Sequence, residues 1–361
     1  MQDHQAREES ILPVDLIRTV ALFLIILLHA SVSSHSAIDF MSPQGVELWW
    51  TANVYNSLSL VAVPLFVMLT GALLLPSSKT DEPIGVFFKK RWNRIGIPVI
   101  FWMIVYFLWL FYSQNQPLTT ISLLQGVFAG PYTHFWYIYL LLGLYFATPF
   151  IRVFTVHANW KTVRYFIVLW VIGTSLISLL TLYSPISSEV TWFRSTVFLF
   201  SGMVGYYILG SYLTKIKIRT AFLYLGFALS TVFTIFGTYF LAGSLGEAYG
   251  QFFYDASSIS ILVASISLML IFATIPNHLI QTKHPKISHV LKIISINTLP
   301  IYLFHYIILE TLRSGILGYR LDVTTLNPII AIPLLAVLTL GICLAIIFPL
   351  KKIPYVNRLI G

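Results

Sequence analysis

Apolar stretches of similar length recur along this chain, separated by short polar breaks. A run of about 20 apolar residues, wound as a helix, spans the ~30 Å hydrocarbon core of a bilayer. The pattern predicts ten such spans, near residues 14–33, 53–75, 95–112, 134–152, 164–183, 195–214, 220–241, 256–275, 291–312 and 328–350. Most connections are short, so successive spans are expected to pack antiparallel. One connection, 113–133, is long, uncharged and partly apolar, and ends in "FAGPYTH". It reads as a re-entrant or interfacial piece, with a plain outer loop as the alternative. The pattern contains no soluble domain, no low-complexity segment and no clear internal repeat. The predicted fold class is therefore all-α, a polytopic membrane bundle of about ten transmembrane helices. Residues 1–13 form an N-terminal tail, 14–350 the membrane domain and 351–361 a C-terminal tail.

Composition sharpens this picture. Charged residues make up 10% of the chain, hydrophobic residues 57%, and the mean hydropathy is +0.83. Soluble domains carry about 25% charge. The net charge of +9 would suit a nucleic-acid binder, but the basic residues lie in short clusters between apolar runs, not on one soluble face. Of the 22 Lys and Arg, only Arg194, Arg313 and Arg320 fall in loops and span ends on one side. The positive-inside rule then places both termini in the cytoplasm. Asp3, Glu8 and Glu9 beside Arg7 make a poor basic start for a signal peptide, so the first helix is expected to be retained. The single cysteine, Cys343, excludes an internal disulfide and offers no thiolate pair to a metal.

Charge inside the spans carries the candidate chemistry. The first span, "VDLIRTVALFLIILLHA", holds Asp15, Arg18 and His29. Arg18 and His29 are 11 positions apart, which is three helical turns plus ~20°, so they share a face with ~16 Å between them along the axis. Asp15 is one turn before Arg18 on that face. A snorkelling arginine paired with an aspartate would account for the first two, but not for a deep histidine. In "FFKKRWNRIGIP", Arg91 and Arg94 stand at i and i+3 beside Lys89 and Lys90. Guanidinium groups one turn apart can clamp phosphate, while the two lysines fit an ordinary cytoplasmic anchor. In "THFWYIYLLLGLYF", His134 and Tyr137 open the fourth span, and Trp136 and Tyr139 fit an aromatic belt. In "SINTLPIYLFHYIILE", Tyr302, His305 and Glu310 lie on the ninth; a helix starting near Lys292 puts His305 ~20 Å deep, close to the depth of His29. A lone membrane histidine can be a satisfied interhelical hydrogen-bonder, but two at similar depth weaken that reading.

The ordered set of these motifs resembles the acyltransferase-3 family of polytopic membrane acyltransferases, over roughly residues 10 to 350. Arg18 and His29 match its basic residue, ten residues, then His. Arg91 and Arg94 match its Arg-x-x-Arg. "NVYNSLSLVAVPLFVMLTGALLL" and "HFWYIYLLLGLYFATPFI" look like the branch that contains the O-acetyltransferase of enterobacterial common antigen. The resemblance implies a bacterial cytoplasmic-membrane enzyme with no tightly bound cofactor. Its co-substrate would be acyl-CoA, usually acetyl-CoA, and its acceptor a surface or lipid-linked glycan. Arg18, Arg91 and Arg94 would then hold the donor phosphates, with Asp15 orienting Arg18. His29 would act as general base or acyl carrier. His305, Tyr302, His134, Tyr137 and Glu310 would orient the acceptor or stabilise an oxyanion. Two other classes compete: a proton-coupled exporter, since membrane Arg, His and Glu also build proton relays, and a non-catalytic partner of a glycan synthase.

Overall fold

The computed structural model describes residues 12–32, 43–79, 81–183, 202–213, 215–216, 218–323 and 325–361. Among them the chain is all-helical, with no strand. Seven helices are long and apolar enough to cross a membrane, or eight if the broken pair Pro285–Ile296 and Thr298–Ser314 counts as one span. Two of the ten expected spans are outside that count. The span expected at 164–183 lies in a helix at Trp160–Tyr183, and residues 195–201 of the next fall outside the described residues.

The chain divides into two compact units, 1–80 with 150–295, and 81–149 with 296–361. In the first, α1 (Val14–Val32) packs on α2 (Pro43–Ser59) and α3 (Ala62–Leu74). Helix α1 runs unbroken through both Arg18 and His29, which are half-buried. Glycines set the closest approach in this unit. A Cβ on Gly71 of α3 would lie 1.8 Å from the Tyr207 carbonyl oxygen, and one on Gly210 would lie 1.9 Å from that of Met68. Helix 202–213 therefore crosses α3 backbone to backbone, a contact only glycine permits and one common between membrane helices.

The end of α3 is met by a buried basic residue. Arg152 belongs to the basic residues that set the orientation, yet it is 4% exposed. Its Nε donates to the Leu74 carbonyl at 3.0 Å and its Nη1 to the Lys79 carbonyl at 2.7 Å, while Lys79 Nζ donates to Leu73 O at 2.7 Å. Terminal carbonyls of a helix have no intrahelical donor, and a cation suits the negative end of its dipole.

The second unit holds α4 (Ile84–Arg91), a π-turn at Trp92–Gly96 and α5 (Ile97–Gln114). Together they form one stretch of 31 residues, ~46 Å long, so it begins well before the expected residue 95. The connection 113–133 contains a ten-residue helix, α6 (Thr120–Ala129), opened by a capping box between Thr119 and Ser122. It is too short to cross a bilayer. The fourth span is α7 (Trp136–His157).

The expected ninth span is not one helix. It consists of α8 (Pro285–Ile296) and α9 (Thr298–Ser314), broken at Asn297. Pro300 has no N–H to give to the Ile296 carbonyl, so the ladder cannot continue. His305 accordingly lies ~10 Å from the start of its own helix, not the ~20 Å expected of a helix begun at Lys292. Helix α9 packs against α5 and α10 (Pro328–Leu350), and a last turn, α11 (Val356–Ile360), docks on α5.

Candidate active site

The second unit brings His134 and His305 together. Both are fully buried, and their rings meet edge to face with centroids 5.3 Å apart. His134 sits in the 3-10 turn Thr133–Phe135 that feeds α7, and His305 is one turn into α9 after Tyr302. The Tyr302 hydroxyl donates to the His134 carbonyl at 2.5 Å, tying the two elements. Tyr137 packs on Tyr302 at 5.4 Å. Sequence reasoning had named these four residues on two separate spans, and the fold makes them neighbours.

The His305 ring has a defined direction. Its Nδ1 lies 2.5 Å from the Tyr302 carbonyl. A carbonyl only accepts, so Nδ1 carries the proton, and in a neutral ring Nε2 is then the basic nitrogen. His134 is enclosed by tyrosine rings: Tyr306 stacks on it at 5.3 Å and 16°, and Tyr106 lies at 5.1 Å. Tyr106 is held by donating to the Leu303 carbonyl at 2.9 Å.

Glu310 is five residues, about one and a half turns, beyond His305 on α9. It accepts from Gln114 Nε2 at 2.9 Å and from the Tyr132 hydroxyl. Partial burial, reinforced by the hydrogen bond and charge of Glu310, raises the Tyr132 pKa above the ordinary tyrosine value. Tyr132 therefore stays a donor. Tyr132 also packs on Tyr306 at 4.7 Å, so the carboxylate group joins the histidine group through one aromatic contact. Tyr106, Gln114, Tyr132 and Tyr306 were not singled out in the sequence. Tyr306 adjoins His305, and Tyr132 lies in the "GPYTH" stretch already marked as unusual, so neighbouring signals existed for those two; Gln114 and Tyr106 carry none.

Arg91 and Arg94 do not make the shared face expected from i, i+3 spacing. The π-turn between them replaces the i→i+4 ladder, as the Ile97 N–H bonded to the Trp92 carbonyl shows. The Arg91 guanidinium lies over the rings of Phe87 and Tyr145, at 4.9 and 5.6 Å. Arg94 is exposed. The Arg91 Nε is buried without a hydrogen-bond partner. Asp15, Arg18 and His29 stand on α1 of the first unit. No group of three or more His, Cys, Asp or Glu suited to a metal exists among the described residues.

The second unit thus gathers two buried histidines, the tyrosine rings around them and the carboxylate of Glu310, and one comparison decides the class. The model of an acyltransferase domain family, Acyl_transf_3, matches residues 12–348. The chain belongs to this family. With its apolar helices, it is a membrane acyltransferase. No curated protein and no solved structure matches it significantly. In this acyltransferase the family region covers both units, so Arg18 and His29 of the first and the histidine–tyrosine cluster of the second all lie within it.

Proposed function

We propose that this membrane acyltransferase moves an acyl group, specifically acetyl, from cytoplasmic acyl-CoA to a hydroxyl of a cell-surface or lipid-linked glycan. We place it in a bacterial cytoplasmic membrane, and the resemblance at 53–75 and 134–152 supports O-acetylation of a surface polysaccharide. The observation that carries the reading is the unbroken α1, on which Arg18 and His29 stand on one face ~16 Å apart. That distance is comparable to a pantetheine arm, with phosphate held at Arg18 and thioester reaching His29.

The chemistry follows from these roles. The acceptor hydroxyl attacks the thioester carbonyl while neutral His29 takes its proton. The tetrahedral intermediate expels the CoA thiolate, which recovers that proton from the imidazolium. The products are the acetyl ester and free CoA thiol. An alternative path puts the acetyl group first on His29 and then on the acceptor. Within the second unit, the cluster of His134, Tyr137, Tyr302, His305 and Glu310 offers aromatic faces for a sugar ring and Glu310 for its hydroxyls.

The test uses the purified full chain, radiolabelled acetyl-CoA and lipid extracts, with identification of the labelled product. Arg18→Ala is expected to weaken donor binding. His29→Gln should bind donor nearly normally and lose turnover, because it removes a group acting in the chemical step. Near-normal transfer by folded His29→Gln would overturn the role of His29. Absence of CoA binding by the wild type would overturn the donor, and favour a transporter.

A further inference from the structure

The segment 351–361, expected as a plain tail, is packed into the second unit. Ile360 is 2% exposed, and its carbonyl accepts from Trp102 Nε1 of α5 at 3.2 Å. A Cβ on Gly361 would touch Leu299 and Pro98 at 3.1 and 3.2 Å. The reversal that allows this passes through Tyr355, at φ +68°, a conformation that L residues with bulky side chains rarely adopt. Such strain persists only where surrounding contacts enforce it.

Docking carries two cations toward Arg94, which follows α4. Lys351 Nζ donates at 3.3 Å to the Ile296 carbonyl, the group that Pro300 leaves without its helical donor. Arg358 Nη2 donates to Asn93 Oδ1 at 3.4 Å, so it lies beside the residue preceding Arg94. Lys351 also senses Arg94 directly: burial, and then this like charge, lower its pKa below the usual lysine value. No Asp or Glu side chain of the described residues pairs with Arg91, Arg94, Lys351 or Arg358. Glu82 is on Lys90 instead. Lys351 and Arg358 thus stand near Arg94 with no acidic side chain of the described residues paired to them, an arrangement that favours an anion.

We propose that Lys351 and Arg358, brought back by the docked C-terminal segment, complete with Arg94 a binding site for the phosphate groups of the acyl-CoA donor. This rests on the donor reading above. Lys351 acts as a point charge held by a backbone carbonyl, and Arg358 as a fork held by Asn93. The site joins Arg94 of the Arg-x-x-Arg motif to the far end of the second unit's sequence.

The experiment measures binding of CoA, and of phosphate-free acetylpantetheine, to the full chain in phosphatidylcholine nanodiscs by calorimetry. Lys351→Gln and Arg358→Gln should each weaken CoA about tenfold, the scale of one lost charge-assisted hydrogen bond. Acetylpantetheine binding should not change, and Lys351→Arg should retain most CoA affinity. Should Lys351→Gln unfold through loss of the Ile296 contact, the exposed Arg358→Gln decides. Unchanged CoA affinity in Arg358→Gln and Lys351→Gln overturns the proposal. Equal weakening of acetylpantetheine also overturns it, because the segment would then act only on structure. A loss confined to retention of phosphatidylglycerol added to the nanodiscs would assign the cations to a lipid headgroup and overturn the donor assignment. If the wild type binds no CoA, the functional reading itself fails; if it binds and Arg94→Ala weakens it while Lys351 and Arg358 are neutral, this inference alone fails.

Discussion

Glu310 and Arg152 show how differently two membrane-region charges are used. Glu310 accepts from Gln114 and Tyr132 beside the histidine cluster; under the proposed function it would exchange the tyrosine hydroxyl for a sugar hydroxyl. Glu310→Ala is expected to raise the acceptor KM about tenfold and leave the donor KM unchanged, read in steady-state transfer assays with each substrate varied. Tyr132 has a raised pKa, because burial and then Glu310 disfavour its anion. Folded Tyr132 therefore remains protonated as pH rises through 10, and wild type and Tyr132→Phe should show the same alkaline limb. Arg152 is different: it donates to the Leu74 carbonyl at the end of α3 and to the Lys79 carbonyl just beyond it. Arg152→Ala is expected to cost about 2–4 kcal/mol of stability, measured as thermal unfolding in detergent. The sequence could count Arg152 as a basic residue, but which carbonyls it meets depends on 73 and 78 residues of intervening chain.

At the scale of elements, the departures from helical periodicity matter most. The run of apolar residues gives α5 its existence, but the π-turn at Trp92–Gly96 rotates Arg94 away from the line of Arg91. Pro300 was visible in the sequence; that it would divide a span just before Tyr302 and His305 depended on how the freed Ile296 carbonyl found Lys351. Glycine offers a sharp test of the packing. Gly71→Ala forces a Cβ against the Tyr207 backbone and should cost about 1–3 kcal/mol. Gly243→Ala, with nothing within 4 Å of its new Cβ, should be neutral or slightly stabilising. Thermal denaturation of the two variants side by side checks the crossing; equal midpoints would contradict it.

For the whole molecule, orientation is the testable quantity. The Lys and Arg asymmetry predicts residue 78 inside and residue 244 outside. Cys343 is fully buried, so the natural thiol gives little background. Ser78→Cys should resist an impermeant thiol reagent in intact cells and Ser244→Cys should label; the reverse pattern would invert the donor route. Apolar run length by itself determined that the chain is a helical membrane protein, because lipid leaves backbone groups no partner except within a helix. Spacing on one helix likewise determined that Arg18 and His29 share a face, since that geometry is local. Only tertiary structure decided that His134 and His305 touch, that Tyr132, Tyr306 and Gln114 join Glu310, and that the C-terminal segment returns to the arginines. These contacts link residues 171 to 265 positions apart or lie across a turn, and no local periodicity encodes which helix faces meet.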